Sequence, residues 1–114
     1  MARVAGVGHA PARRLHSGAG DLAGQVEAAC QSLITSGHGV PGIILDPFFV
    51  NEGFPDLPPG FLDPAQAVVR KHGGVVIADE VQPGFGRIGT HFWGHQRAGF
   101  APDIVTIDRK STRL

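Results

Sequence analysis

Apolar positions recur at helical spacing along two stretches of this chain and run together without interruption along two others. From Asp21 onward, Leu22, Val26, Ala29, Cys30 and Leu33 repeat every three or four residues. That spacing predicts an amphipathic helix with Asp21 as N-cap and Gly37 as C-cap. Leu62, Ala65, Val68 and Val69 predict a second helix, with Arg70 and Lys71 in its last turn and Gly73-Gly74 at its end. Between them, Gly42-Ile43-Ile44-Leu45 is short, β-branched and free of polar residues, which predicts a strand buried on both faces and stopped by Pro47. Val75-Val76-Ile77-Ala78 repeats that pattern and runs into Asp79 and Glu80, and Asp103 to Ile107 predicts a further short strand.

The remaining stretches carry no period. Residues 1 to about 19 are mostly Ala, Gly, Arg and His and are expected to be loop. Phe48 to Gly60 mixes Gly53, Pro55, Pro58, Pro59 and Gly60 with phenylalanines, the composition of an irregular loop that packs on something. Strand, helix, strand in that order is the unit of a parallel sheet, with a right-handed crossover and helices over both faces. The expected fold class is therefore α/β, a partial parallel sheet with flanking helices. Three strands and two helices with both sheet edges open would make a poor free-standing domain, so the chain reads as part of something larger.

Composition narrows the function classes. At 114 residues there is room for one domain at most. An apolar share of 42% against 18% charged places the chain among ordered globular sequences. Ten Lys and Arg balance ten Asp and Glu, so no basic footprint for nucleic acid or anionic lipid exists, and small-molecule chemistry is the default. Cys30 is the only cysteine and no CxxC motif occurs, which suits a reducing compartment. The N-terminal residues lack the apolar run of a signal peptide, and no stretch approaches the ~20 apolar residues of a membrane span. A soluble, cytoplasmic protein is expected.

Chemistry concentrates where the strands end. In open α/β sheets ligands bind at the carboxyl ends of the strands, and both apolar runs end in a carboxylate, Asp46 and Asp79. Burying either is costly without a cation or hydrogen-bond donors. Asp79-Glu80 after four apolar residues matches a Walker B strand, but the only Lys-Ser pair, Lys110-Ser111, lacks the glycine loop and follows the strand. Gly84, Gly86 and Gly89 spell GxGxxG with Asp108 near the required distance. Five residues, two of them acidic, separate the apolar run from the first glycine, whereas the dinucleotide fingerprint turns straight from strand into helix. A third reading makes Asp79 and Glu80 solvated turn residues beside a tight glycine loop.

The fourth reading uses the whole string. Ile77-Ala78-Asp79-Glu80-Val81-Gln82-Pro83-Gly84-Phe85-Gly86-Arg87-Ile88-Gly89-Thr90, continued by His91-Phe92-Trp93 and by Ala101-Pro102-Asp103-Ile104-Val105-Thr106, resembles the signature of class III pyridoxal-phosphate-dependent aminotransferases. The resemblance covers roughly residues 37 to 107. It implies the large domain of a fold type I enzyme that uses pyridoxal 5'-phosphate (PLP) to move an amino group between an amine or amino acid and a keto acid, typically as a homodimer. A class III lyase acting on a phosphorylated amine, or a non-catalytic remnant, are the alternatives. The division it suggests is a poorly defined segment at 1–19, a partial PLP-binding large domain at 20–107 and an atypical tail at 108–114.

Carried onto this sequence, the resemblance places Asp79 against the pyridinium nitrogen, Val81 against the ring face and Gln82 at the phenolic oxygen, with Asp79 the one catalytic residue. A carboxylate at that nitrogen keeps it protonated, so the ring can accept electrons. Glu80 points to the opposite face of an extended strand and is expected to be structural. Phe85, Gly86 and Arg87 fall in a loop near the cofactor and subunit interface. Asp46 stands where many members have glutamate, one methylene longer. His91 and His95 sit at i, i+4, but no further ligand accompanies them, so a metal pair is not expected. Where the family has its Schiff-base lysine, three residues beyond the threonine, this chain has Arg109, whose guanidinium stays protonated and is a poor nucleophile. Lys110 lies one residue late. No Ser/Gly/Thr phosphate loop precedes the strands, so weak cofactor affinity and no turnover are expected of this chain alone.

Overall fold

The computed structural model describes residues 2–4, 9–10, 19–48 and 58–107, with side chains described for 22–48 and 58–107. Among the described residues, five strands and three helices follow in the order β1 (Ala2–Val4), β2 (His9–Ala10), α1 (Ala19–Thr35), β3 (Gly42–Leu45), α2 (Asp63–Lys71), β4 (Val75–Asp79), α3 (Gly94–Ala98) and β5 (Ile104–Thr106). They build one sheet in the order β2-β1-β3-β4-β5. Strands β3, β4 and β5 run parallel, with Leu45 opposite Ala78 and Asp79 opposite Thr106. The expected α/β class with a parallel sheet is what forms.

Helix α1 begins at Ala19, so Asp21 lies in its first turn instead of capping it. Its far end matches the sequence: Gly37 adopts a φ of 82°, and the amides of Gly37 and His38 return to the carbonyls of Ile34 and Leu33. Leu22, Val26, Cys30 and Leu33 form its buried stripe and join Val40, Ile43, Leu45, Leu62, Ala65, Val69, Val76 and Ala78 in one core. Helix α2 ends as predicted, with the amides of Gly73 and Gly74 bonded to the carbonyls of Arg70 and Val69. At Gly74 a Cβ would stand 2.7 Å from a Val69 methyl, so a side chain there would push the helix off the strand.

Three expectations are corrected. Residues 1–19 are not all loop, since β1 pairs antiparallel with β3, Ala2 opposite Leu45 and Val4 opposite Ile43, and β2 pairs with β1. Strands of three and two residues are too short to display a period of two, and only their partner reveals them. The edge of β3 is consequently covered, not open. The central strands are also not fully buried on both faces: in β4, Val76 and Ala78 are 0% exposed while Val75 is 36% exposed and Ile77 is half-buried. Among the described residues the helices' buried positions cluster with only one of the two alternating sets of strand residues. Most of the predicted Phe48 to Gly60 loop, 49–57, lies outside the described residues, as do Asp108, Arg109, Lys110 and Ser111.

Candidate functional site

Because β3, β4 and β5 are parallel, their carboxyl ends meet along one edge of the sheet and bring Asp46, Asp79 and Thr106 together there. Asp79 is the last residue of β4 and is half-buried. Its Oδ1 accepts the amide of Val81 at 3.1 Å and lies 3.5 Å from the Thr106 hydroxyl of β5. Both contacts fall on Oδ1, and among the described residues none is made to Oδ2. That leaves one carboxyl oxygen at the strand end ready to meet a donor. Val81 is half-buried and Gln82 is exposed, both in the turn that follows the strand end.

Glu80 turns the other way. Its side chain is 0% exposed. Oε2 accepts the amide of Gly94 at 2.8 Å, Oε1 accepts the amide of His95 at 2.8 Å, and His95 Nδ1 lies 2.9 Å from the same oxygen. With both oxygens already accepting amide protons, the imidazole joins as a donor. The expected structural role is what the geometry gives, and with Glu80 sealed beneath α3 the Walker B reading has no general base. His95 is committed to Glu80 and His91 is exposed, and no group of three metal-ligating side chains exists among the described residues.

The glycine string is a turn and not a fingerprint. Gly86 and Gly89 have φ of 75° and 81°, and no helix opens at them, because α3 starts only at Gly94. Gly84 closes the first part: its amide bonds the Glu80 carbonyl at 3.0 Å, and a Cβ there would lie 2.6 Å from that same oxygen. Arg87 donates from Nη1 to the Val81 carbonyl at 2.9 Å, folding the loop back on the strand end. Phe85 takes a φ of 63°, unusual for a bulky side chain, and is held by edge contacts with Phe92 and Trp93 at 5.7 and 5.1 Å between ring centres.

Helix α3 was not predicted. Its signals were present: the Gln96 side chain accepts the Trp93 amide at 3.0 Å, and Gly99 ends the helix with a φ of 80°. A polar N3 residue and a terminal glycine so close together are a weak cue without an apolar period between them. Its first residue fits between the prolines that follow two of the parallel strands, because a Cβ on Gly94 would come within 2.7 Å of Pro83 and 3.0 Å of Pro47. Asp46 accepts the Phe48 amide at 2.9 Å, which assigns it part of a turn at the end of β3. Lys71, the lysine among the described residues, belongs to the opposite end of β4, where α2 leads into the strand, and pairs with Glu27 at 3.3 Å.

Among the described residues this is an α/β protein whose parallel sheet carries, at one strand end, a carboxylate with one oxygen unengaged and a glycine-rich loop after it, at the edge where open α/β sheets generally bind ligands. The profile of the class-III aminotransferases matches residues 4–112, and the chain belongs to that family. It is 46% identical over 83 residues to the human protein "Alanine--glyoxylate aminotransferase 2, mitochondrial", an alignment covering 72% of this chain and 16% of that protein. Among solved structures it resembles a phospholyase from Arthrobacter in complex with phosphoethanolamine, with a TM-score of 0.72 and 37% identity over 94% of this chain and 25% of that one. A transaminase with L-alanine gives a TM-score of 0.66 at 32% identity, covering 84% of this chain and 22% of the other. The chain thus spans about a sixth of the length of its curated relatives and a quarter or less of these structures.

Proposed function

We propose that this chain contributes the ring-binding strand end of a PLP-dependent enzyme that transfers an amino group between an amine or amino acid and a keto acid. The observation that carries it is the carboxyl group of Asp79, half-buried at the end of a parallel strand with Oδ2 unengaged among the described residues. That arrangement fits a protonated heteroaromatic nitrogen, because a carboxylate held by one amide and backed by a hydroxyl is oriented before the ligand arrives. Val81, half-buried beside it, offers an apolar flank for a ring, and Gln82, exposed one residue on, can donate to a phenolic oxygen.

PLP, when bound, supplies the electron sink that weakens the substrate's Cα–H bond. The part of this chain is to keep a proton on the ring nitrogen through Asp79, to fix the plane of the ring with Val81 and to orient its oxygen with Gln82. At the family's lysine position this chain has Arg109, and Lys110, one residue on, is the candidate for that role within these 114 residues. With Arg109 at that position and no phosphate loop before the strands, weak cofactor binding and no turnover are expected of the purified 114-residue chain.

The test is a titration of that chain with PLP, followed by Trp93 fluorescence, in the native protein and in Asp79→Asn. Loss of a hydrogen bond to a charged partner should weaken binding roughly tenfold to a hundredfold, and equal affinity in the two proteins would remove Asp79 from the site. Borohydride treatment and peptide mass mapping then report whether a pyridoxyl group is fixed on Lys110.

The likeness to the Arthrobacter phospholyase supports a second reading, elimination of phosphate from a phosphorylated amine. The same ring contacts serve both reactions. In the whole enzyme, phosphate release from phosphoethanolamine against amino transfer from L-alanine separates them.

A further inference from the structure

We infer that Glu80 is a positioning residue for the Asp79–Gln82 strand end, acting through α3; this rests on the reading of Asp79, Val81 and Gln82 as the ring contacts. Glu80 is joined to three neighbours at once. Its amide bonds the Thr106 carbonyl at 2.9 Å, extending the β4–β5 ladder one residue past Asp79. Its carbonyl accepts the Gly84 amide at 3.0 Å and so closes the turn that contains Val81 and Gln82. Its side chain reaches the first two amides of α3 and the His95 imidazole, all at 2.8 to 2.9 Å.

The direction of each bond matters. Alternation along the extended backbone sends the Glu80 side chain into the protein while its neighbours Asp79 and Val81 stay on the rim. Helix α3 is in turn fixed against Pro47 and Pro83, the residues that follow the ends of β3 and of the Asp79–Gln82 segment. Trp93, which precedes α3, closes over Gly84, where a Cβ would lie 3.0 Å from the indole. The Glu80 carboxyl group is the polar tie that holds these surfaces together, and buried carboxyl oxygens with three partners leave the backbone on either side little freedom. A five-residue helix does not hold its own geometry without such a tie.

The test uses the full 114-residue chain labelled with 15N. In Glu80→Gln one acceptor oxygen becomes a donor that faces an amide proton. Amide exchange at Gly94 and His95 should then quicken roughly tenfold, the scale of one lost buried hydrogen bond. The Val81 and Gln82 resonances should shift with them while those of β3 stay in place. Shifts confined to Gly94 and His95 would overturn the inference, since Glu80 would then anchor α3 alone. If Glu80→Gln fails to fold, His95→Ala removes the imidazole, with its bond to Glu80 and its ring contacts to Trp93 and Phe100, and keeps both amide bonds. It should move Val81 and Gln82 less but in the same direction, and His95→Asn, whose amide can donate from near the Nδ1 position, should restore them. No movement in His95→Ala overturns the inference. These readouts need no ligand, so equal PLP affinity in the native chain and Asp79→Asn would remove the ring-contact reading, while the resonances alone would still decide the role of Glu80.

Discussion

Asp79 and Glu80 are adjacent carboxylates with opposite fates, and one peptide unit separates them. The strand sends the first to the rim and the second into a site without solvent, where three donors await it. Sequence reasoning could assign Glu80 a structural role from alternation but could not name its partners, which lie 14 and 15 residues downstream. A second carboxylate shows how charge ties the helices. Glu27 of α1 meets Gln31, Lys71 and His72, and these hydrogen bonds, led by that of Gln31, hold its pKa at about 2, below the ordinary 4.5. A depressed carboxyl pKa contributes stability that is complete above the unfolded value and lost as pH falls through the folded one. Urea midpoints measured from pH ~5 down to about 2 should therefore decline, and Glu27→Gln should flatten that decline. Cys30 is the converse case: burial pushes its thiol pKa up, so it should resist alkylation until the chain unfolds.

Elements with their own period were legible, and elements defined by a partner were not. Helices α1 and α2 and strands β3, β4 and β5 carry apolar patterns whose spacing follows from helix and strand geometry. Strands β1 and β2 exist because β3 offers a backbone edge to pair with, and α3 because Glu80 and two prolines receive it. Leu45 of β3 is 0% exposed among α1, α2 and β4 core residues. Leu45→Ala should cost about 2–5 kcal/mol, read from chemical denaturation. At the turn, Gly84→Ala sets a methyl against the Glu80 carbonyl and the Trp93 ring. A rigid backbone oxygen cannot yield as a flexible side chain can, so the variant should perturb Trp93 near-UV dichroism and lower the melting temperature.

At the scale of the molecule the sheet is asymmetric. Among the described residues one side ends in the short β1–β2 pair, and the other in β5, where Ile104, Val105 and the following Ile107 are 48%, 39% and 47% exposed. Apolar side chains on an edge strand are a template for pairing. Concentrated solutions of the chain should scatter light as they associate, and Val105→Lys should suppress that association in sedimentation measurements without loss of helical dichroism. The order of elements and the strand-end string were enough to give the α/β class and the family, because period and motif are properties of neighbouring residues. Only the folded chain decided that the helices pack on one set of strand residues, that β3 lies inside the sheet and that α3 locks onto Glu80. Those outcomes depend on contacts between residues far apart in sequence, whose cost and gain no local pattern records.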